Sequence, residues 1–163
     1  MTPFRIGFGY DVHQLQTGLN LRIGGVDIPY EKGWVAHSDG DALIHALCDA
    51  LLGAAGLRDI GCQFPDTDPQ YKGIDSRRLL RRIVDLLERH NYLIGNIDCT
   101  IAMQQPKLKP HIDMMRQNLA ADCHIALDCV SIKATTTEHL GFEGNGTGAS
   151  AYAVALIYRD ESE

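Results

Sequence analysis

The chain has 163 residues, a formal net charge of −6 at pH 7, 45% hydrophobic residues and 22% charged residues. These values suit one globular domain, 1-163, with a core of its own, and the acidity argues against a nucleic-acid backbone as main partner. No apolar run approaches the ~20 residues of a spanning helix, no basic-then-apolar leader opens the chain, and the five scattered cysteines form no Cys-x-x-Cys pair, so a reduced, cytoplasmic protein with no membrane partner is expected.

Phe4 to His13 alternates as a strand, with Ile6, Phe8, Tyr10 and Val12 on one face and Gly7, Gly9, Asp11 and His13 on the other. Asp11 and His13 therefore point the same way, and the glycines leave room for something to approach the backbone. Alone, the segment is better read as a strand ending in a polar turn, with Asp11 capping and His13 solvated. Leu19–Ile23 and Val26–Tyr30 flank Gly24-Gly25, the pattern of a hairpin with a primed turn. A loop through Glu31 to Ala36 leads to His37–Gly53, where a helix is predicted, capped by Ser38 or Asp39 and stopped at Gly53. At helical spacing Ser38, Asp41, His45 and Asp49 share one stripe, opposite Leu43, Leu47, Ala50 and Leu51. A solvated stripe more often carries Lys, Glu and Gln; this one carries ligands and anion-friendly groups, with an Asp-rich wet face as the bland alternative.

Gly56 to Gly73 has no apolar period and reads as a long loop, functional or a simple connector. Asp75 or Ser76 opens an amphipathic helix reaching about Asn91, with Leu79, Leu80, Ile83, Leu86 and Leu87 buried and its arginines on a solvated face. Asn96–Gln104 reads as a strand, broken by Gln105–Pro110, then His111–Ala121 as a helix and Cys129–Ala134 as a strand. A Gly-rich segment, Gly141–Gly148, precedes a last strand, Ala149–Tyr158. The order indicates an α+β domain: a mixed, four-stranded-type sheet plus a hairpin, with helices packed on one face.

Asp11, His13 and His45 offer one carboxylate and two imidazoles, a set suited to Zn²⁺ or a similar divalent ion with a coordination position left open. This requires the first strand to lie beside the central helix. Asp49, one turn past His45, is a candidate to orient an imidazole. Thr135-x-x-Glu138 has the form of a capping box after a strand; it is either that, or a phosphate-binding turn in which Glu138 holds a second divalent ion. His37 and Ser38 at a helix start suit a phosphoryl oxygen. Lys107 and Lys109, beside prolines, are solvated or meet an anion. No Gly-x-Ser-x-Gly or P-loop occurs, and no cysteine has an electropositive setting.

Six blocks, taken in order, closely resemble the 2-C-methyl-D-erythritol 2,4-cyclodiphosphate synthase family: Gly-Tyr-Asp-Val-His (9–13), Ala-His-Ser-Asp-Gly-Asp (36–41), Asp-Ile-Gly (59–61), Phe-Pro-Asp-Thr-Asp (64–68), Gln-Pro-Lys (105–107) and Lys-Ala-Thr-Thr-Thr-Glu-x-Leu-Gly-Phe (133–142). The resemblance implies a lyase of non-mevalonate isoprenoid precursor biosynthesis. Its small-molecule substrate is a cytidine diphosphate ester of methylerythritol that carries a 2-phosphate; the 2-phosphate attacks the diphosphate, and CMP leaves. It also implies a homotrimer with active sites at the subunit interfaces. Carried over residue by residue, Asp11, His13 and His45 resemble zinc ligands, and His37 and Thr136 the stabilisers of the transition state. Glu138 resembles the ligand of a second ion, Mg²⁺ or Mn²⁺, on the diphosphate. Pro106, Lys107 and Leu108, flanked by Met103 and Lys109, resemble the cytosine-binding loop. Asp59, Ile60 and Gly61 resemble the ribose and methylerythritol contacts, with Phe64, Pro65, Asp66, Thr67 and Asp68 continuing that wall. The implied substrate contacts extend to Ser38, Thr135, Thr137, Phe142 and Asn145. The alternatives are a metal-dependent nucleotide phosphodiesterase and a non-catalytic metal- or isoprenoid-binding trimer. One departure stands out: family members often carry an arginine and, two residues on, a glutamate where this chain has Asn145 and Thr147. Because that arginine can bind an isoprenoid diphosphate along the trimer axis, weak or absent binding is expected here, and a geranyl diphosphate titration tests it.

Overall fold

Two glycines set the packing of the molecule. A computed structural model describes residues 3–161. In it the first strand, β1 (Phe4–Thr17), lies directly under the central helix, α1 (Ala42–Ala54). A Cβ on Gly7 would stand 1.9 Å from the Ala50 carbonyl oxygen, and one on Gly9 1.7 Å from that of Ala46. No side chain fits there, so it is a helix that makes the close approach to this backbone. The same contact carries Asp11 and His13, on the same face of β1, towards α1.

The main sheet has five strands rather than the four-stranded type expected. Its order is β4-β1-β7-β5-β6, completed by β4 (Lys32–Trp34), β5 (Tyr92–Ala102), β6 (Val130–Thr135) and β7 (Gly148–Arg159). The extra edge strand, β4, falls in the expected Glu31–Ala36 loop, because three residues around a glycine show no alternation. Pairing is antiparallel except between β5 and β6 (Ile97↔Val130), which makes the sheet mixed. β5 starts at Tyr92, earlier than expected, because a bulge between Ile94 and Asn96 breaks its period. The hairpin forms as β2 (Arg22–Ile23) and β3 (Val26–Asp27), turned by Gly24 (φ 58°) and Gly25 (φ 74°). The long 56–73 segment is not bare loop. It contains α2 (Ile60–Gln63) and a 3₁₀ turn, Pro69–Tyr71.

Helices α3 (Ser76–Arg89) and α4 (Ile112–Cys123) join α1 over the sheet; the last, short helix is α5 (Gly141–Gly144). Arg77 and Arg81 grip the buried Asp122 at 2.7 and 3.1 Å and lock α3 to α4. Ala149, Ala151, Ala153 and Ala155 of β7 are buried on the covered face, where their small side chains let α1 settle. The opposite face of β1 and β7 is exposed in the single chain, with Ile6 at 70%, Phe8 at 63% and Val154 at 45% of full exposure.

The cap of α1 is Asp41, not Ser38 or Asp39, and the helix runs one residue past Gly53. Asp41 is fully buried and therefore leaves the expected polar stripe. Its carboxylate accepts the N–H groups of Ile44 (3.1 Å), Gly24 (3.0 Å) and Gly25 (2.7 Å), pinning the hairpin to the helix. Burial raises its pKa to about 6, even though the Gly25, Ile44 and Gly24 donors pull it down. A folded-state value above the ordinary 3.8 means that the folded chain holds this proton more tightly than the unfolded chain. The stability so contributed is full below about pH 4 and is lost as pH rises through about 6, a difference of ~3 kcal/mol. Asp41→Asn removes the titration. The stability of wild type minus that of Asp41→Asn, from urea unfolding, is expected to fall by ~3 kcal/mol between about pH 4 and about pH 7. A pH-independent difference would contradict this.

Candidate functional site

Asp11 and His13 of β1 meet His45 of α1. Asp11 Oδ2 lies 2.9 Å from His13 Nδ1 and 3.3 Å from His45 Nδ1, and the two imidazole rings are 5.5 Å apart. One ligand atom from each residue falls within 4.8 Å of the others. Ligands about 2.0–2.1 Å from a tetrahedral ion stand about 3.3 Å from one another. Asp11 Oδ2 and His13 Nδ1 are buried and close, yet neither has a partner in hydrogen-bonding geometry. Two unsatisfied buried polar atoms facing each other fit a cation held between them. Burial lifts the Asp11 carboxyl, but the facing His13 and His45 imidazoles outweigh it and hold it below the ordinary range. Burial pushes the His45 imidazole down, and the Asp11 carboxylate, joined by Asp41 and Asp39, more than reverses this.

The expected orienter of an imidazole, Asp49, does something else. It accepts the Ile60 N–H at 2.8 Å and anchors α2 beside the triad. His45 Nε2 instead faces Ser76 Oγ at 2.9 Å and Ser38 Oγ at 3.3 Å. Ser76 in turn donates its hydroxyl to Asp39 Oδ1 and its N–H to Asp39 Oδ2 at 2.9 Å. Sequence reasoning missed this pair. Ser76 reads only as a helix start, and Asp39 only as a cap.

Asp11, His13, His37, Ser38 and His45 share a cleft of about 360 Å³ with Ile60, Gly61, Phe64 and Asp66. Asp59 caps α2 by accepting the Cys62 N–H at 3.0 Å, and Asp68 caps the 3₁₀ turn through the Gln70 N–H at 3.0 Å. Pro65 and Thr67 are exposed between them. Met103, Pro106, Lys107, Leu108, Lys109, Thr135 and Thr136 line a different cleft of about 600 Å³. Glu138 lines neither of these two clefts. No capping box forms at Thr135-x-x-Glu138: the Thr135 hydroxyl donates to the Thr136 carbonyl, and Glu138 (φ 54°) and His139 (φ 62°) make a left-handed turn. Thr137 Oγ1 closes that turn on the Leu140 carbonyl at 2.7 Å. Phe142 flanks a shallow recess with Val12, His13, Gln14, Thr147 and Gly148. Asn145 Oδ1 accepts the Thr147 N–H at 2.9 Å and also its hydroxyl, so both residues are engaged with each other. Within one chain, therefore, the metal-ligand set and the Lys107–Thr136 set lie apart.

The YgbB family matches residues 4–158 of this chain. The chain is 62% identical over 157 residues to 2-C-methyl-D-erythritol 2,4-cyclodiphosphate synthase of Thioalkalivibrio sulfidiphilus, covering 96% of this chain and 98% of that one. It superposes on IspF of Plasmodium falciparum in a CDP complex with a TM-score of 0.86 and 32% identity, covering 99% of each. It also superposes on the bifunctional IspDF of Campylobacter jejuni with a TM-score of 0.93 and 39% identity, covering 96% of this chain but 42% of that longer one.

Proposed function

This chain belongs to the YgbB family, and from that membership we infer that it cyclises 4-diphosphocytidyl-2-C-methyl-D-erythritol 2-phosphate to 2-C-methyl-D-erythritol 2,4-cyclodiphosphate with release of CMP. It is a metal-dependent lyase of non-mevalonate isoprenoid precursor biosynthesis, with residues 1-163 as one catalytic domain. The observation that carries this reading is the Asp11–His13–His45 cluster, in which Asp11 Oδ2 and His13 Nδ1 lack hydrogen-bond partners, in one cleft with His37 and Ser38. A cytoplasmic location belongs to this reading; among the described residues, no helix is long and apolar enough to cross a membrane.

An oxygen of the substrate's own 2-phosphate forms the new bond to the distal phosphorus, and the bond from that phosphorus to CMP breaks. The nucleophile comes from the substrate, so the chain needs neither a catalytic serine nor a catalytic cysteine. The obstacle is electrostatic: two unit charges ~4 Å apart repel by ~4 kcal/mol at an effective dielectric of ~20. Asp11, His13 and His45 would hold Zn²⁺, and Glu138 a Mg²⁺ or Mn²⁺, ions that would supply positive charge against that repulsion. His37, with Ser38 beside it, donates to phosphoryl oxygens as they gain charge, and Thr136 does so from the other cleft, flanked by Thr135 and Thr137. Pro106, Lys107 and Leu108 hold the cytosine between Met103 and Lys109. Asp59, Ile60 and Gly61, with Phe64 to Asp68, hold the polyol and ribose and keep the tethered phosphates close.

These two groups sit in separate clefts of one chain, which supports a site completed by a neighbour. The exposed band of Ile6, Phe8, Tyr10, Val12 and Val154 is the surface three copies would bury, with Phe142 and Asn145 near the threefold axis. Each active site then takes its metal-ligand cleft from one subunit and its Lys107–Thr136 cleft from the next. Product identity tests the reaction. A ring diphosphate with stoichiometric CMP supports it, an open-chain phosphate assigns hydrolysis, and zinc uptake without CMP release assigns a binding protein.

A further inference from the structure

We propose that Ser76 and Asp39 are positioning residues for the metal centre: they hold His45 as its Nε2–H tautomer, so that Nδ1 presents a lone pair beside Asp11. The inference rests on the metal-site reading above. Its logic is a count of protons. The Asp39 carboxylate accepts two bonds from Ser76, one from the N–H at 2.9 Å and one from the hydroxyl. The single hydroxyl hydrogen of Ser76 is thereby committed. Its oxygen, 2.9 Å from His45 Nε2, has only lone pairs left to offer on that side, so the ring nitrogen carries the hydrogen. In the neutral ring Nδ1 is then bare, and it is Nδ1 that stands 3.3 Å from Asp11 Oδ2.

The surroundings keep this arrangement in place. Ser76 is fully buried, so water does not compete for its hydroxyl. Its N–H is one of the unpaired donors at the start of α3, and Asp39 rather than the cap Asp75 satisfies it. Arg22 Nε lies 3.7 Å from Asp39 Oδ2 and adds positive charge beside the carboxylate. Ser38 Oγ, at 3.3 Å, is the more distant contact of Nε2. The start of α3 is thus coupled to a ligand on α1, and the loop before α1 supplies the link.

The test uses the full-length, metal-free protein without substrate. Zinc affinity is measured by competition with a chelator for wild type, Ser76→Ala and Asp39→Asn. Nitrogen-15 imidazole NMR at alkaline pH reads the tautomer of His45. The expected result is a wild-type ring protonated at Nε2, and zinc affinity lowered about 10- to 100-fold in both variants, with the unfolding midpoint of Ser76→Ala close to that of wild type. A ring protonated at Nδ1 in the wild type would overturn the proposal, and this holds even if a variant fails to fold. Unchanged zinc affinity in the folded variants would overturn it too, and would leave the metal site itself standing. A wild type that takes up no zinc overturns the metal-site reading and this inference together.

Discussion

Replacing His45 with alanine is expected to abolish tight zinc binding and to lower CMP release by ~10³-fold or more, with the fold retained. The loss follows from the charge balance of the reaction. A Lewis-acidic ion contributes several kcal/mol to a step in which two anions meet, and ~4 kcal/mol corresponds to ~10³ in rate. Asp11 and His13 alone leave a two-ligand site, too few for a divalent ion of this type. The fold survives because alanine is a strong helix former in α1, and because Ser76 keeps its bonds to Asp39 after the ring is gone. Metal content, steady-state CMP release and far-ultraviolet circular dichroism check the three parts separately. Full turnover by a demonstrably zinc-free His45→Ala protein would contradict the role given to the triad.

Mixing two inactive variants is expected to restore activity. His45→Ala damages the metal-ligand cleft and Thr136→Ala the other cleft, and the proposed trimer draws one cleft from each of two neighbouring subunits. When the two proteins are refolded together in equal amounts, about one interface in four pairs an intact metal cleft with an intact Thr136 cleft, so recovery of about a quarter of wild-type activity is expected. Each variant alone stays inactive, because every one of its interfaces carries the defect. No recovery on mixing, with mixed assemblies shown to form, would mean that each site is built within a single chain.

What could be read from the residues alone followed from local periods. The period-two spacing of Asp11 and His13 puts them on one strand face, and the hairpin was legible from Gly24-Gly25, because both features depend on neighbours in the chain. The meeting of β1 with α1 was half legible: Gly7 and Gly9 signal a close approach but do not say that a helix makes it. The polar stripe was misread at Asp41, since a cap lies outside the helical period and turns its side chain to the hairpin. The partner of His45 was not legible at all. Ser76 is 31 residues away and its link to Asp39 spans 37, distances at which single-sequence periodicity carries no information. β4 escaped because three residues around Gly33 have no pattern to read. The separation of Thr136 and Lys107 from the triad is likewise a property of the fold that no local period reveals.

The central claim, cyclisation by the substrate's own phosphate, is tested most directly by phosphorus NMR of the purified protein with 4-diphosphocytidyl-2-C-methyl-D-erythritol 2-phosphate, Mg²⁺ and trace Zn²⁺. The predicted result is loss of the substrate's three phosphorus signals and the appearance of CMP, in equal amount to a pair of mutually coupled signals from a ring diphosphate. CMP accompanied by an open-chain bisphosphate with two uncoupled signals, or no CMP from a protein with zinc bound, would contradict it.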